Sequence, residues 1–335
     1  MIDKIIAQYQ KYGLVSATKN IIYHCLTRER KKSFGSLNSD KTFYVIRSIA
    51  DHSRFYIGPR NNLLANYFYV LSHLKYALLK GWIPVVDQLN YPVYNSVKYP
   101  INGTVNAWEY YWKQPSPYTL EEVYQSKNVI LSKQNWFSEY DMGYKLSNYK
   151  DKSLISQYCA LSNYIQYKDI VSHEIKDLTK NILPEGKRIL GVNFRFGGHS
   201  KRHYGCAEGH PLQPDIEEML PIIKKVIEEK KIDLVFAASD VHEALDLLQV
   251  KLGNKLIYLP RKRSTEHIKK GEPNPLYDKV DTYNVAIEYL SEMELLAKTT
   301  CIIGSINSGF RYALLRNNNR FEKVEVLNYG LHERK

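Results

Sequence analysis

Apolar positions along the chain switch repeatedly between two periods. Short runs of β-branched and aromatic residues alternate with longer stretches whose apolar side chains return every three or four residues. "KTFYVIRSI" (41–49) reads as a strand. Leu63, Leu64, Tyr67, Leu71, Leu74 and Leu78 then recur at helical spacing, Gly81 stops the helix, and Ile83–Val86 is a short buried strand. "KNVILSK" (127–133) is a further strand, and 153–180 is mainly helical.

The second half repeats the scheme with less interruption. "RILGVNF", "DLVFAASD", "KLIYLP" and "TCIIGS" are strands. "DIEEMLPIIKKVIEEKK", "HEALDLLQVKLG", "TYNVAIEYLSEMELLAKT" and "GFRYALLRN" are the helices between and after them. Alternating β and α of this kind predicts parallel sheets with helices on both faces, and two such sheets.

At 335 residues the length also fits two domains. "LPEGK" marks a boundary near 183–187, dividing a domain at 41–185 from one at 186–335. Residues 1–40 stand apart as a basic, amphipathic helical segment carrying Ile5, Ile6, Tyr9, Tyr12, Ile21, Ile22 and Leu26, with "TRERKK" towards its end. Two readings stay open for it: docking on an anionic inner membrane leaflet, or packing on the domain with a solvated basic end.

An apolar fraction of 44% is ordinary for a folded chain. No run of about 18 apolar residues occurs, and no apolar core with a cleavage site opens the sequence. Four scattered cysteines without CxxC pairing suit a reducing compartment. The expectation is a cytoplasmic protein, peripheral on the membrane's inner face if the first segment docks there. A net charge of +12 favours anionic partners. The basic residues are spread along the chain and no nucleic-acid-binding signature occurs, so nucleic acid is not expected.

Ligands of open α/β sheets bind beyond the carboxyl ends of the strands. Arg195 follows the first strand of the second half, Asp240 follows the next, and "SINSG" follows the last. Arg195 offers a planar fork of donors to a phosphate. Ser305, Asn307 and Ser308 precede a helix whose free N–H groups suit the same anion. The rival readings are a strand-end salt bridge for Arg195 and ordinary N-capping for the serine loop. Glu208 is the single carboxylate of the loop after Arg195, a candidate base or a solvated loop acid; His199 and Lys201 are candidate diphosphate contacts. His199, His203, Cys206 and His210 could be drawn as a zinc set, but zinc ligands commonly come as two short pairs on separate elements. No metal is expected. Trp108, Tyr110, Tyr111 and Trp112 are either a platform for sugar rings or core. Asp87, after the second strand of the first half, is a candidate substrate contact or a structural acid.

"GVNFRFGG" with "GHPLQPDIEEML", "FAASDVHEALDLLQVKLGNKLIYL" and "YLSEMELLAKTTCIIGSINSGFRYALL" resemble, in order, the motifs of the GDP-fucose-dependent fucosyltransferase superfamily. "KYALLKGWIPVVDQLNYP" and "NAWEYYWKQP" are similar to its bacterial surface-polysaccharide members, and the resemblance spans most of 55–330. It implies a GT-B glycosyltransferase fold, with two facing Rossmann-like domains and the donor nucleotide on the C-terminal one. It implies an inverting transfer of L-fucose from a GDP-sugar, without metal, to an oligosaccharide or lipid-linked glycan. Arg195 would bind the β-phosphate, Ser305 or Ser308 would assist, and Glu292 would recognise guanine. Asp240 matches an acidic position of the family, with a surface cap or helix-start role as the alternative. Asn193 stands where the family has a histidine, and Phe196, Gly197 and Gly198 stand where it has an acid. Another GDP- or UDP-sugar, or a noncatalytic sugar-binding role, are the alternatives.

Overall fold

The structure is a computed structural model that describes residues 27–48, 63–89, 100–195, 209–263 and 282–332. It resolves into two compact units.

The first unit runs to Asp141 and also takes in 164–168. Its sheet comprises β1 (Arg30–Lys32), β2 (Phe43–Arg47), β3 (Ile83–Asp87) and β4 (Val129–Leu131) in the order β1-β4-β2-β3. β2 is parallel to both β3 and β4, and β1 closes the edge antiparallel to β4. "TRERKK" was expected to end a helix; its last three residues form this edge strand instead, where lysines are tolerated because one side of an edge faces water. Helix α1 (Leu63–Leu79) crosses from β2 to β3. Leu63, Leu64, Tyr67, Leu71 and Leu74 are buried as their spacing requires. Gly81 ends α1 at φ +67°, a conformation open to glycine, and so lets the Trp82 N–H reach the Ala77 carbonyl at 3.0 Å.

β2 is buried on both faces, as an inner parallel strand should be. Phe43 and Val45 pack with Val85, Val123 and Val129. Tyr44, on the opposite face, meets α1 at His73 and Tyr76.

The second unit comprises 142–163 and residues from Asp169 on. Its strands are β5 (Ile189–Phe194), β6 (Leu234–Ser239), β7 (Leu256–Ile257), β8 (Cys301–Ser305) and β9 (Lys323–Leu327). They form one wholly parallel sheet in the order β7-β6-β5-β8-β9. Helices α4 (Ile216–Lys230), α5 (His242–Leu252), α6 (Thr282–Ala297) and α7 (Ser308–Arg316) belong to the crossovers. Leu190, Val192, Met219, Ile223, Val226, Val235 and Ile303 are the centre of its core. The expected α/β architecture with doubly wound order is realised here in full. Among the described residues no helix is long and apolar enough to cross a membrane.

The stretch 153–180 forms two helices, α2 (Lys152–Ser162) and α3 (Asp169–Thr179). Both lie in the second unit, so its first residues come well before the 183–187 segment. α2 packs on α7 and α3 on α6. The Tyr283 hydroxyl donates to Glu174 Oε2 at 2.8 Å, across the α3–α6 contact. The link between α2 and α3 returns to the first unit, where Lys113 N–H donates to the Gln166 carbonyl and Lys168 N–H to that of Tyr111.

Candidate active site

The order β7-β6-β5-β8-β9 reverses direction between β5 and β8. From β5 the chain builds outward through β6 and β7, then returns to lay β8 on the other side. Helices leave neighbouring strands on opposite faces at such a point, which opens a crevice at the strands' carboxyl ends. Asn193, Phe194 and Arg195 end β5 at this place, and Ser305, Ile306 and Asn307 end β8. The fold therefore gathers residues more than a hundred positions apart in sequence.

A buried amide network fixes the crevice floor. Asn307 caps α7, its Oδ1 accepting the Phe310 N–H at 3.0 Å. Its Nδ2 donates to Asn193 Oδ1 at 2.7 Å and lies 3.4 Å from Gln213 Oε1. The Ser305 hydroxyl donates to the same Gln213 oxygen. Ser305, Asn307 and Asn193 are all buried. These three expected ligands thus spend their side chains on one another and on Gln213. They frame the start of α7.

The start of α7 is left open. Ser308 is half-buried, and the N–H groups of Ser308 and Gly309 have no acceptor among the described residues. These are the orphan donors of a helix N-terminus, with the positive end of the helix dipole behind them. Arg195 is half-buried in the same unit. His210 lies within its electrostatic reach; burial lowers the His210 pKa, and the charges of Arg195 and His332 lower it further. His332 arrives on a short antiparallel contact, its N–H donating to the His210 carbonyl at 2.8 Å while the Gly209 N–H donates to its own.

Glu292 has another role from the one expected. Its carboxylate is 1% exposed and fully engaged, with Oε2 2.7 Å from Arg261 Nη2 and Oε1 2.6 Å from Arg263 Nη2. Both arginines also donate to the Ser239 carbonyl at the end of β6. Two cations on one acid satisfy it completely, so Glu292 is not presented to a base as the resemblance implied. Asp240 is half-buried and lies in the field of Arg261, and the cap position of α5 belongs to Val241 instead.

Arg261, Arg263, Gln213, Tyr289 and His332 were not singled out from sequence. Arg261 and Arg263 lie about thirty positions before Glu292, and nothing in the run "PRKRS" separates a buried pair from a solvated basic turn. Glu208, His199 and Lys201 lie outside the described residues, as do residues 1–26 and, from the zinc set, His199, His203 and Cys206. Among the described residues no group of three His, Cys, Asp or Glu could hold a metal.

The aromatic run of the first unit is core. Trp108, Tyr110, Tyr111 and Trp112 are each about fully buried, Trp108 and Trp112 with ring centroids 4.5 Å apart. They present no face to a sugar. Asp87 is likewise committed, accepting from the Tyr124 hydroxyl and from Leu89 N–H at 3.1 Å.

No family model matches the chain, and no curated protein does. Solved structures similar to it include the fucosyltransferase NodZ from Bradyrhizobium, 14% identical over 82% of this chain and 93% of that one, with a TM-score of 0.42. NodZ alpha-1,6-fucosyltransferase soaked with GDP-fucose matches over the same shares at 14% identity and a TM-score of 0.44. POFUT1 in complex with GDP-fucose is 10% identical over 89% of this chain and 99% of that one, with a TM-score of 0.45.

Proposed function

We propose that this chain is a glycosyltransferase of the two-domain GT-B kind that moves L-fucose from a GDP-sugar to a hydroxyl of a bacterial surface glycan or its lipid-linked precursor. One observation carries the donor site. At the switch point between β5 and β8, Arg195 and the open N-terminus of α7 stand on neighbouring strands. A guanidinium and a helix N-terminus converging there suit a diphosphate, whose two phosphates offer enough oxygens for both. The order of the sequence motifs supports guanosine and fucose.

The transfer forms a bond from the acceptor oxygen to the anomeric carbon and breaks the bond from that carbon to the β-phosphate oxygen. GDP leaves with the bonding pair, and the acceptor's proton passes to a base, for which Glu208 is the proposed residue. Arg195 and the Ser308 and Gly309 amides stabilise charge growing on the leaving phosphate; a preorganised donor of this type is worth about 10²–10³ in rate. The site's chemistry needs no metal in this scheme, since a fixed cation and backbone N–H groups meet the diphosphate.

A melt panel with GDP, UDP, CDP and ADP tests the reading. A ligand at about 100 times its dissociation constant stabilises by roughly 2.7 kcal/mol. Stabilisation by GDP that Arg195→Ala abolishes, followed by turnover of GDP-fucose, is expected. A preference for UDP would remove the fucose assignment, and no response to any nucleotide would remove the donor site.

A further inference from the structure

Tyr289 lies on α6 one turn before Met293, and both face the start of α7. A Cβ built on Gly309 would stand 2.8 Å from Met293 Sδ, 3.1 Å from Tyr289 Oη and 3.3 Å from Asn307 Oδ1. The phenolic oxygen and the capping amide therefore both lie against Gly309, whose N–H has no acceptor among the described residues. No side chain larger than glycine's hydrogen fits between them without displacing the sulfur or the phenol. The Tyr289 hydroxyl has no hydrogen-bond partner among the described residues, and its side chain is half-buried, so it is not sealed in the core.

We propose that Tyr289 is a further ligand of the donor's diphosphate, its hydroxyl donating to the phosphate oxygen that the α7 N-terminus and Arg195 hold. The inference rests on the donor-site reading above and adds a residue to it. The charges around the phenol fit this role. Burial pushes its pKa up to about 12, against the pull of Arg195 and then Arg261, while Glu292 and Asp240 push the same way as burial. The group is therefore neutral at physiological pH and can donate to an anion. Of the two acids that act on the phenol, Glu292 is already paired with two arginines, and Asp240 is the one that would oppose an incoming phosphate. A phenol here also gives what a lysine would not: a donor of fixed direction that adds no charge to a cluster already holding Arg195, Arg261 and Arg263.

Calorimetric titration of the full chain with GDP and with guanosine tests this, using the wild type, Tyr289→Phe and Arg195→Ala. The hydroxyl is the single group removed in Tyr289→Phe, and a hydrogen bond to a charged partner is worth about tenfold or more in affinity. The expected result is GDP binding weakened about tenfold in Tyr289→Phe, with guanosine binding and the ligand-free melting temperature as in wild type. Wild-type GDP affinity in Tyr289→Phe, with the Arg195→Ala affinity reduced, would overturn the proposal and leave the donor site standing. Equal losses for GDP and guanosine would overturn it in favour of a general structural role. A wild-type chain that binds no GDP would overturn both.

Discussion

Each unit places an arginine at the carboxyl end of its central parallel strand, and the surroundings of the two strand ends differ. Arg47 ends β2 in the first unit. Its Nε donates to the Ser132 carbonyl at 3.0 Å, and its Nη2 donates to the carbonyls of Ser132 and Arg28. Next to it Gln88 and Asn66 exchange amide hydrogen bonds of 2.8 and 2.9 Å, Asn106 Oδ1 accepts the Gln88 N–H, and Asp87 is held by Tyr124. The chain has closed that end of the sheet on itself. In the second unit the network of Asn193, Asn307, Gln213 and Ser305 is just as closed, but of the first α7 amides it takes that of Phe310 and leaves those of Ser308 and Gly309 without an acceptor among the described residues. Residue type and topological position are nearly the same in the two units. What separates the two sheet ends is whether the backbone N–H groups beside them have acceptors among the described residues: those of Ser308 and Gly309 do not.

The largest effect that would sharpen this contrast is expected at Glu292. Glu292→Ala leaves Arg261 and Arg263 buried around an uncompensated position and should cost about 3–5 kcal/mol of stability, read from urea unfolding. A loss well under 1 kcal/mol would show that the pair is solvated and would reopen a base-binding role for the carboxylate. Next comes the arginine pair itself. Arg195→Ala should lower glycosyl transfer by about 10²–10³ with little change in the ligand-free melt, whereas Arg47→Ala should lower the melt and leave nucleotide affinity intact. The contrast breaks if the two variants behave alike.

A smaller effect concerns pH and belongs to the first unit. His73 is fully buried, with Nδ1 2.9 Å from the Tyr44 hydroxyl and Nε2 3.1 Å from the Asn135 carbonyl. A carbonyl can only accept, so Nε2 carries the proton and Nδ1 accepts from Tyr44. Burial lowers the His73 pKa to about 3, so the fold holds it neutral. The unfolded chain, with an ordinary histidine near pH 6.5, binds the extra proton first. Stability supplied by this group is therefore present above about pH 6.5 and falls by roughly 1.4 kcal/mol per pH unit on acidification towards 3. Urea midpoints for wild type and His73→Gln between pH 7.5 and 5 should converge; parallel lines would mean that His73 titrates alike in both states. The smallest effect is expected for Tyr124→Phe, which removes the hydroxyl donated to Asp87. Burial and the Asp87 charge raise that phenol's pKa, so it is neutral, and its loss should cost about 1–2 kcal/mol with transfer unaffected.

Much of the second unit was legible in the sequence, because a strand buried on both faces must be written as an unbroken apolar run. "RILGVNF" and "TCIIGS" are such runs, and the helices between them carry clear periodicity. β9 is hard to foresee, since "KVEVL" is a largely half-buried edge strand whose alternating charges and valines also fit a surface turn. β1 escaped for a related reason: three basic residues on an edge look like a charge cluster. In the site, Arg195 and the α7 start could be placed because strand ends and helix starts are local features. The partners of Glu292, assigned to guanine by resemblance, could not be foreseen, because they depend on where Arg261 and Arg263 come to lie against α6. Trp108 and Trp112 illustrate the same limit, as an aromatic pair packed in a core and one presented to a ligand are spelled identically.

The chain crosses between its two units three times, at 141–142, 163–164 and 168–169, before the second sheet begins. During synthesis the first unit's strands and α2 and α3 emerge early, whereas α6, which α3 covers, follows roughly a hundred residues later. At about 5–20 residues per second the apolar faces of α2 and α3 wait several seconds or more on the ribosome without their partners. A gene cut at the 183–187 segment would inherit this problem permanently. A fragment beginning at Arg188 would lack the helices that cover α6 and α7, and its partner fragment would carry those helices with nothing to cover.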